Sequence, residues 1–493
     1  MIKVLNVSAE CSPFVKIGGL ADVVGSLPNE IKRLKNVDVR VIMPFYKAIP
    51  KKYKEKAKDL VDFKMDSFKE EQYVGIKTLK KGNIQYYFLE NEFYFGSRDS
   101  VYNYGDENKR FAYFQIAVLE SLKHLDFMPD IIHSHDWHTA MIPLLLKTKY
   151  RDLNIKTVLS LHNLAYQGVF PLQDYQLFQI PYDSRFEFDG HLNFLKSGIV
   201  TADMITTVSP HYAQEILTDY YGYGMQNLLK ARGSDVMGIL NGVDYNEFSP
   251  EKDKLIPFKF SVADFKVGKT KNKEALFKIL KVDFPLERPV ISLISRLVNQ
   301  KGIDLIQRVF EEMLKSDDFS FVLLGSGEEN YEKYFSELEK KFPDKVKSYL
   351  GYSNKLAHQI YAASDMFLMP SKFEPCGLGQ IIALKYGTIP IVRETGGLVD
   401  TIEAYNEYEK KGNGFSFTNF NAHDMMHTIR YALHTYHNDK NSWDGLVVNA
   451  MMSDFSWKPK KKQQKKTRAI ATLQVPAILI RRSFEKRYRR MVS

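Results

Sequence analysis

Residues 374–400 read EPCGLGQIIALKYGTIPIVRETGGLVD, and their order predicts a fold. Glu374 is followed by the turn Cys376-Gly377, a short amphipathic run, the apolar strand Ile389-Pro390-Ile391-Val392, and then Thr395-Gly396-Gly397. This pattern is a turn into a helix, a buried strand, and a second turn into a helix. The first N–H groups of a helix have no partner within it and favour anions, and glycine lets a phosphate approach closely. A carboxylate beside such turns points to transfer chemistry on a phosphorylated donor.

Outward from this segment, short β-branched runs alternate with longer helical patterns, as in parallel α/β architecture. Strands are predicted at 3–8, 37–44, 84–90, 130–135, 156–162 and 204–209. A second set is predicted at 289–295, 320–326, 366–371 and 389–392. The fold class expected is α/β, with two doubly wound Rossmann-like domains facing across a cleft. Ligands then gather at the carboxyl ends of the strands. The turn in ILNGVDYNEFSP (239–250) sets the boundary, giving domains at 1–245 and 246–457.

The 493 residues are too many for one ordinary core, and 44% hydrophobic with 26% charged residues is a globular composition. Of 69 basic and 59 acidic residues, thirteen basic and one acidic lie in 458–493, so the first 457 residues are nearly neutral. The net charge of +10 therefore belongs to an atypical basic tail that is expected to be disordered, and it does not support a nucleic-acid-binding fold. Two distant cysteines, Cys11 and Cys376, exclude a disulfide framework. A start at IKVLNVSAE without a signal pattern suits the cytoplasm, and the lack of a long apolar run argues against a membrane span.

Several motifs carry chemistry. In KIGGLADVVGSLP (16–28), Gly18 and Gly19 can bring backbone N–H groups to a pyrophosphate while Lys16 adds charge, although an ordinary glycine turn would look the same. In SRLVNQKG (295–302), Arg296 and Lys301 follow an apolar strand and can reach phosphate oxygens. HSHDWH (133–138) has three histidines, but Asp136 stands one place too early for a metallo-hydrolase pattern and Trp137 takes its position. No second ligand cluster follows, so no metal is expected. His162 ends a strand and precedes NLAYQG (163–168). GSGE (325–328) follows another strand and fits a nucleotide pocket.

These stretches resemble the bacterial glycogen synthases and plant starch synthases, over about residues 1–457. EPCGL, YGTIPIVRETGGLVD, KIGGLAD, HSHDWH, LHNLAYQG and SRLVNQKG each stand close to the family pattern. The resemblance implies a two-Rossmann (GT-B) glycosyltransferase that moves glucose from ADP-glucose to an α-1,4-glucan with retention of configuration. It implies no cofactor, no nucleic acid and no membrane. Glu374, His162, Arg296 and Lys301 are the catalytic candidates. The donor is assigned to Lys16, Gly18, Gly19, Asp22, Asn241, Tyr352, Cys376, Gly377, Thr395, Gly396 and Gly397. By resemblance Asp22 contacts a sugar hydroxyl, Asn241 lies near the hinge, and Tyr352 stacks on the base. Tyr102, Asp106, Asp136 and Trp137 are assigned to the sugar or acceptor side. Where related transferases carry a second glutamate, this chain has Ile382, with Gln380 nearby. That favours a same-face attack over a double displacement. The rival readings are a catalytically impaired glucan-binding scaffold and a basic-tailed protein that attaches to RNA or anionic surfaces.

Overall fold

The computed structural model describes residues 1–34, 36–67 and 70–457. The chain divides into two compact units, Met1–Asn241 and a second beginning at Gly242. The division thus falls four residues before the predicted boundary. It lies within the Asn-Gly turn itself, because Val243 N–H already bonds Phe455 O of the second unit. The expectation for 458–493 lies outside the described residues.

In the first unit, β1 (Ile2–Val7), β2 (Val37–Pro44), β3 (Lys58–Ser67), β4 (Glu70–Lys81), β5 (Ile84–Glu90), β6 (Ile131–His135) and β7 (Lys156–Leu161) come first. A small antiparallel sheet of β8 (Val169–Pro171), β9 (Glu187–Phe188) and β10 (His191–Asn193) follows, then β11 (Met204–Thr207) and β12 (Val236–Gly238). The main sheet runs β12-β11-β7-β6-β1-β2-β5-β4-β3. It is parallel from β12 to β5, and β4 and β3 add as antiparallel strands. The sequence reading missed β3 and β4. Their charged residues alternate with apolar ones on a half-buried edge, a pattern that lacks the apolar runs used to find the inner strands.

The second unit holds β13 (Val290–Ile294), β14 (Ser320–Gly325), β15 (Val346–Leu350), β16 (Met366–Met369), β17 (Ile389–Arg393) and β18 (Phe415–Phe417). They form an all-parallel sheet in the order β15-β14-β13-β16-β17-β18. β15 and β18 are edge strands too short or too polar for an apolar-run search. Both faces of the sheet are covered: Ile291, Leu293, Phe321 and Leu323 join a core with helix residues such as Ile306 and Phe310, and the alternate Val290, Val322 and Leu324 join a second with Leu276, Phe277 and Ile360. Burying side chains of this size contributes roughly 1.5–3 kcal/mol each. Among the described residues no helix is long and apolar enough to cross a membrane.

Each strand order reverses once. The chain winds outward from β1 through β2 and then restarts at β6 on the other side, and β13 and β16 stand in the same relation. At such a switch point the two loops diverge and leave a crevice, where open parallel sheets bind ligands.

Candidate functional site

In the second unit the loops after β13 and β16 flank the switch point, and they are fastened together. Lys372 N–H bonds Gln300 O at 2.9 Å, and Gln300 Nε2 donates to Phe373 O at 3.1 Å. Gly302, at φ 69°, lets this approach happen: a Cβ there would stand 2.0 Å from Pro370 O. The result sets Lys301 Nζ 2.6 Å from Glu374 Oε2, which also accepts from Ser371 Oγ at 2.9 Å. Both side chains of the ion pair are largely buried. Two residues predicted from separate motifs are therefore direct partners. Of the residues that orient them, Gln300 lies within the SRLVNQKG motif but was not singled out, and Ser371 carries no sequence signal beyond its place after β16.

Arg296 follows the same strand and is exposed. The GSGE stretch pairs with it in sequence-distant fashion: Leu297 N–H bonds Ser326 O and Glu328 N–H bonds Leu297 O, so Gly325 and Gly327 are needed for close approach of the two loops. Tyr352 is 71% exposed, with its ring open to a flat partner.

The glycine turns need a correction. Gly397 N–H donates to Glu374 O and Pro375 O, so it is not held out for a phosphate. A Cβ on Gly396 would lie 2.0 Å from Glu374 O, and one on Gly397 2.1 Å from Cys376 O. Gly377, at φ 67°, turns the chain beside Gln380. These glycines pack the segment after Glu374 against the turn after β17. Cys376 and Thr395 are buried within that contact region. These contacts hold the backbone of Glu374 against the turn after β17.

In the first unit the loops after β1 and β6 flank the other switch point, with the loop after β7 beside them. Asp136 takes φ 55° and ψ −172°, a strained conformation outside the left-handed helical well, and its Oδ1 accepts from His162 N–H at 2.7 Å. Burial pushes the Asp136 carboxyl up to about 7, against the pull of that hydrogen bond. His162 Nε2 lies 3.0 Å from His135 Nδ1, and His135 Nε2 lies 3.2 Å from Asn6 Oδ1. With His135 donating to the amide oxygen, its Nδ1 accepts and His162 Nε2 carries the proton. Burial pushes His162 down to about 3, so the ring is neutral. His133 bonds Ser160 Oγ at 2.7 Å and His138 stacks on Trp137. The histidines of HSHDWH are thus used within the fold, and no cluster of His, Cys, Asp or Glu among the described residues could hold a metal.

Other predicted residues find protein partners. Trp137 is buried against Phe111, Phe170 and Phe194, and Gly168 must lack a side chain to admit it. Its ring therefore packs within the first unit's aromatic cluster. Asp106 pairs with Arg98 at 2.7 Å. Lys16 pairs with Asp22 at 2.8 Å. Gly18 N–H and Tyr102 Oη both donate to Glu10, a residue that the motifs did not bring forward. Its signal was an acidic side chain just past a strand in an otherwise apolar stretch. Asn241 is the last residue of the first unit. A cavity of about 580 Å³ in the second unit is lined by Asp253, Phe258, Lys259 and Lys271, among others, and contains none of the predicted residues.

Residues 3–231 match the family described as the starch synthase catalytic domain, and residues 276–444 match glycosyl transferases group 1. With two parallel-sheet units, the class is a hexosyltransferase of the GT-B fold. The chain is 48% identical over 465 residues to a glycogen synthase of Bacillus cereus, covering 92% of this chain and 97% of that one. It is 46% identical over 477 residues to a glycogen synthase of Geobacillus thermodenitrificans, covering 94% and 96%. The catalytic domain of starch synthase IV from Arabidopsis thaliana, solved bound to ADP and acarbose, superposes with a TM-score of 0.86 at 32% identity, covering 96% and 99%. A sucrose-phosphate synthase from Thermosynechococcus elongatus, 15% identical with a TM-score of 0.59, shares the fold. The chain belongs to the glycogen synthase family.

Proposed function

We propose that the chain transfers glucose from ADP-glucose to the non-reducing end of an α-1,4-glucan with retention of configuration and without a metal ion. The observation that carries the reading is the Lys301–Glu374 pair at the β13/β16 switch point. It places a cation suited to diphosphate oxygens beside a carboxylate suited to a sugar that becomes positive as its bond breaks. Arg296 and Lys301 take the phosphate charge, which grows as the nucleoside diphosphate departs. Glu374 acts at the sugar; within the first unit, His162, kept neutral by burial, is the candidate for contact with the glucose. Tyr352 offers its exposed ring to the base. The ADP and acarbose in the Arabidopsis relative support a nucleoside diphosphate and a glucan as ligands.

A same-face mechanism is supported by what replaces a second carboxylate. Ile382 is buried, and the Gln380 amide is committed to Cys376 O, Gly377 O and Thr401 Oγ1. Neither is a carboxylate that could form a glycosyl-enzyme bond, which supports the reading in which the leaving diphosphate takes the acceptor proton.

The test is glucose incorporation into glycogen from ADP-glucose and UDP-glucose, before and after exhaustive chelation, with the anomeric linkage of the product read by NMR. An α-linked product from ADP-glucose that persists after chelation is expected. A β-linkage, a preference for UDP-glucose, or loss of activity restored by a metal would overturn the corresponding part of the proposal.

A further inference from the structure

Glu10 is the most heavily engaged group of the loop between β1 and the helix Gly19–Lys32. Its side chain is buried. Oε2 accepts from Ile17 N–H at 2.7 Å and Gly18 N–H at 3.1 Å, and Oε1 accepts from Tyr102 Oη at 2.6 Å. The backbone beneath is also held: Glu10 N–H donates to Ser8 Oγ at 3.2 Å, and Ser8 Oγ donates to Glu10 O at 2.7 Å. The rest of the loop closes on itself through reciprocal bonds between Cys11 and Val15, and Ser12 N–H bonds Ala21 O of the helix. Gly25 permits that contact, since a Cβ there would stand 2.5 Å from Ser12 O.

This arrangement changes the reading of the glycine loop. A carboxylate already occupies the Ile17 and Gly18 N–H groups, so these are not the donors that meet a phosphate. The free N–H groups at a helix start belong to its first residues, here Gly19 and Leu20. Charge-assisted bonds such as those on Glu10 are the strong and directional ones. They fix the turn in front of the helix and tie it to Tyr102, which arrives from a segment ninety-two positions away in sequence.

We infer that Glu10 is a positioning residue for donor binding: its carboxylate holds Ile17, Gly18 and Tyr102 so that Lys16 and the first turn of the helix Gly19–Lys32 meet the diphosphate in one fixed geometry. The inference rests on the proposed use of a nucleoside-diphosphate glucose. The wild-type chain decides that premise separately, by binding ADP and turning over ADP-glucose, with UDP and UDP-glucose as the probes if those are preferred.

The test measures nucleotide affinity by calorimetry, the KM values for donor and for glycogen, kcat, and the melting temperature of full-length variants. Glu10→Ala should weaken nucleotide binding and raise the donor KM about tenfold, the order of one charge-assisted hydrogen bond, with the glycogen KM within about twofold. Glu10→Gln keeps an acceptor for both N–H groups and should return within about threefold of wild type. Tyr102→Phe, which removes only one hydroxyl, should shift the same parameters by a few-fold and should add nothing in the Glu10→Ala background. If Glu10→Ala lowers the melting temperature but leaves nucleotide affinity and donor KM within about twofold, the residue is merely structural and the inference fails. Should Glu10→Ala not fold, Tyr102→Phe and Glu10→Gln decide: unchanged donor parameters in Tyr102→Phe, or no recovery in a folded Glu10→Gln, overturn it.

Discussion

Deleting either partner of the Lys301–Glu374 pair tests the centre of the proposed mechanism and the geometry beneath it at once. The two charged atoms are 2.6 Å apart, with Lys301 17% and Glu374 9% exposed at the side chain. At an effective dielectric of about 20, charges at that separation attract by roughly 6 kcal/mol before desolvation is counted. Desolvation removes most of this, but taking away one member leaves the other charge unpaired, which costs about 3–5 kcal/mol in buried sites. Ser371 Oγ also loses its acceptor in Glu374→Ala. Each single alanine variant should therefore lose about 2–4 kcal/mol of stability, near the low end because Lys301 reaches some water. The double variant should lose about 2 kcal/mol less than the sum, since neither charge is stranded in it. For a unit of this size, 3 kcal/mol corresponds to a fall in Tm of about 6–12 °C.

Turnover should separate the two residues. Glu374→Ala should reduce glucose incorporation by at least about a thousandfold, near 4 kcal/mol of barrier, while ADP affinity stays close to wild type. Lys301→Ala should weaken ADP binding and turnover together, because phosphate charge is present before and after the bond breaks. Additive losses of stability in the double variant would refute the pairing. More than about a tenth of wild-type turnover in Glu374→Ala, under about 1.4 kcal/mol of barrier, would refute the catalytic role.

Gly396→Ala should cost about 3 kcal/mol or more, from a positive φ and a Cβ 2.0 Å from Glu374 O, whereas Gly18→Ala, with φ −146° and nothing within 4 Å, should change stability by under about 1 kcal/mol; chemical denaturation compares them. Trp137→Ala should destabilise by about 3–5 kcal/mol as a core deletion, and Trp137→Phe should keep the KM for glycogen near wild type if the ring does not touch glucan. Thermal melts against pH should show stability falling as pH drops from about 6.5 towards 3. His133, His138 and His162 are held down to about 3 by burial, so the unfolded chain takes up protons there that the folded one refuses. Asp136, pushed up to about 7 by burial, acts in the opposite sense: its contribution is present below the ordinary carboxylate range and is lost as pH rises through 7, so Asp136→Asn should flatten that upper limb.

What the linear chain determined is what depends on neighbours in sequence. Apolar runs such as VISLI and IPIVR can only be strands buried on both faces, and the glycine turns after them follow from strand-to-helix geometry. The two units and the place of Glu374, His162, Arg296 and Lys301 near strand ends were legible for that reason, and the family was legible from the resemblance of the motifs that carry them. The amphipathic strand β4 and the edge strand β3 beside it were not, because half-exposed pairing leaves no continuous apolar run. Partnerships were decided only by tertiary structure. Sequence marked Lys301 and Glu374 as separate motifs, 73 positions apart, and the β13/β16 switch point made them one ion pair. It marked Gly397 as a phosphate donor, and Glu374 O and Pro375 O take that N–H; it could not show that Trp137 packs against Phe111, Phe170 and Phe194. It passed over Glu10, whose role exists only where the loop after β1 meets Tyr102. A hydrogen bond depends on distance and direction within a few tenths of an ångström, and those are set by the whole fold.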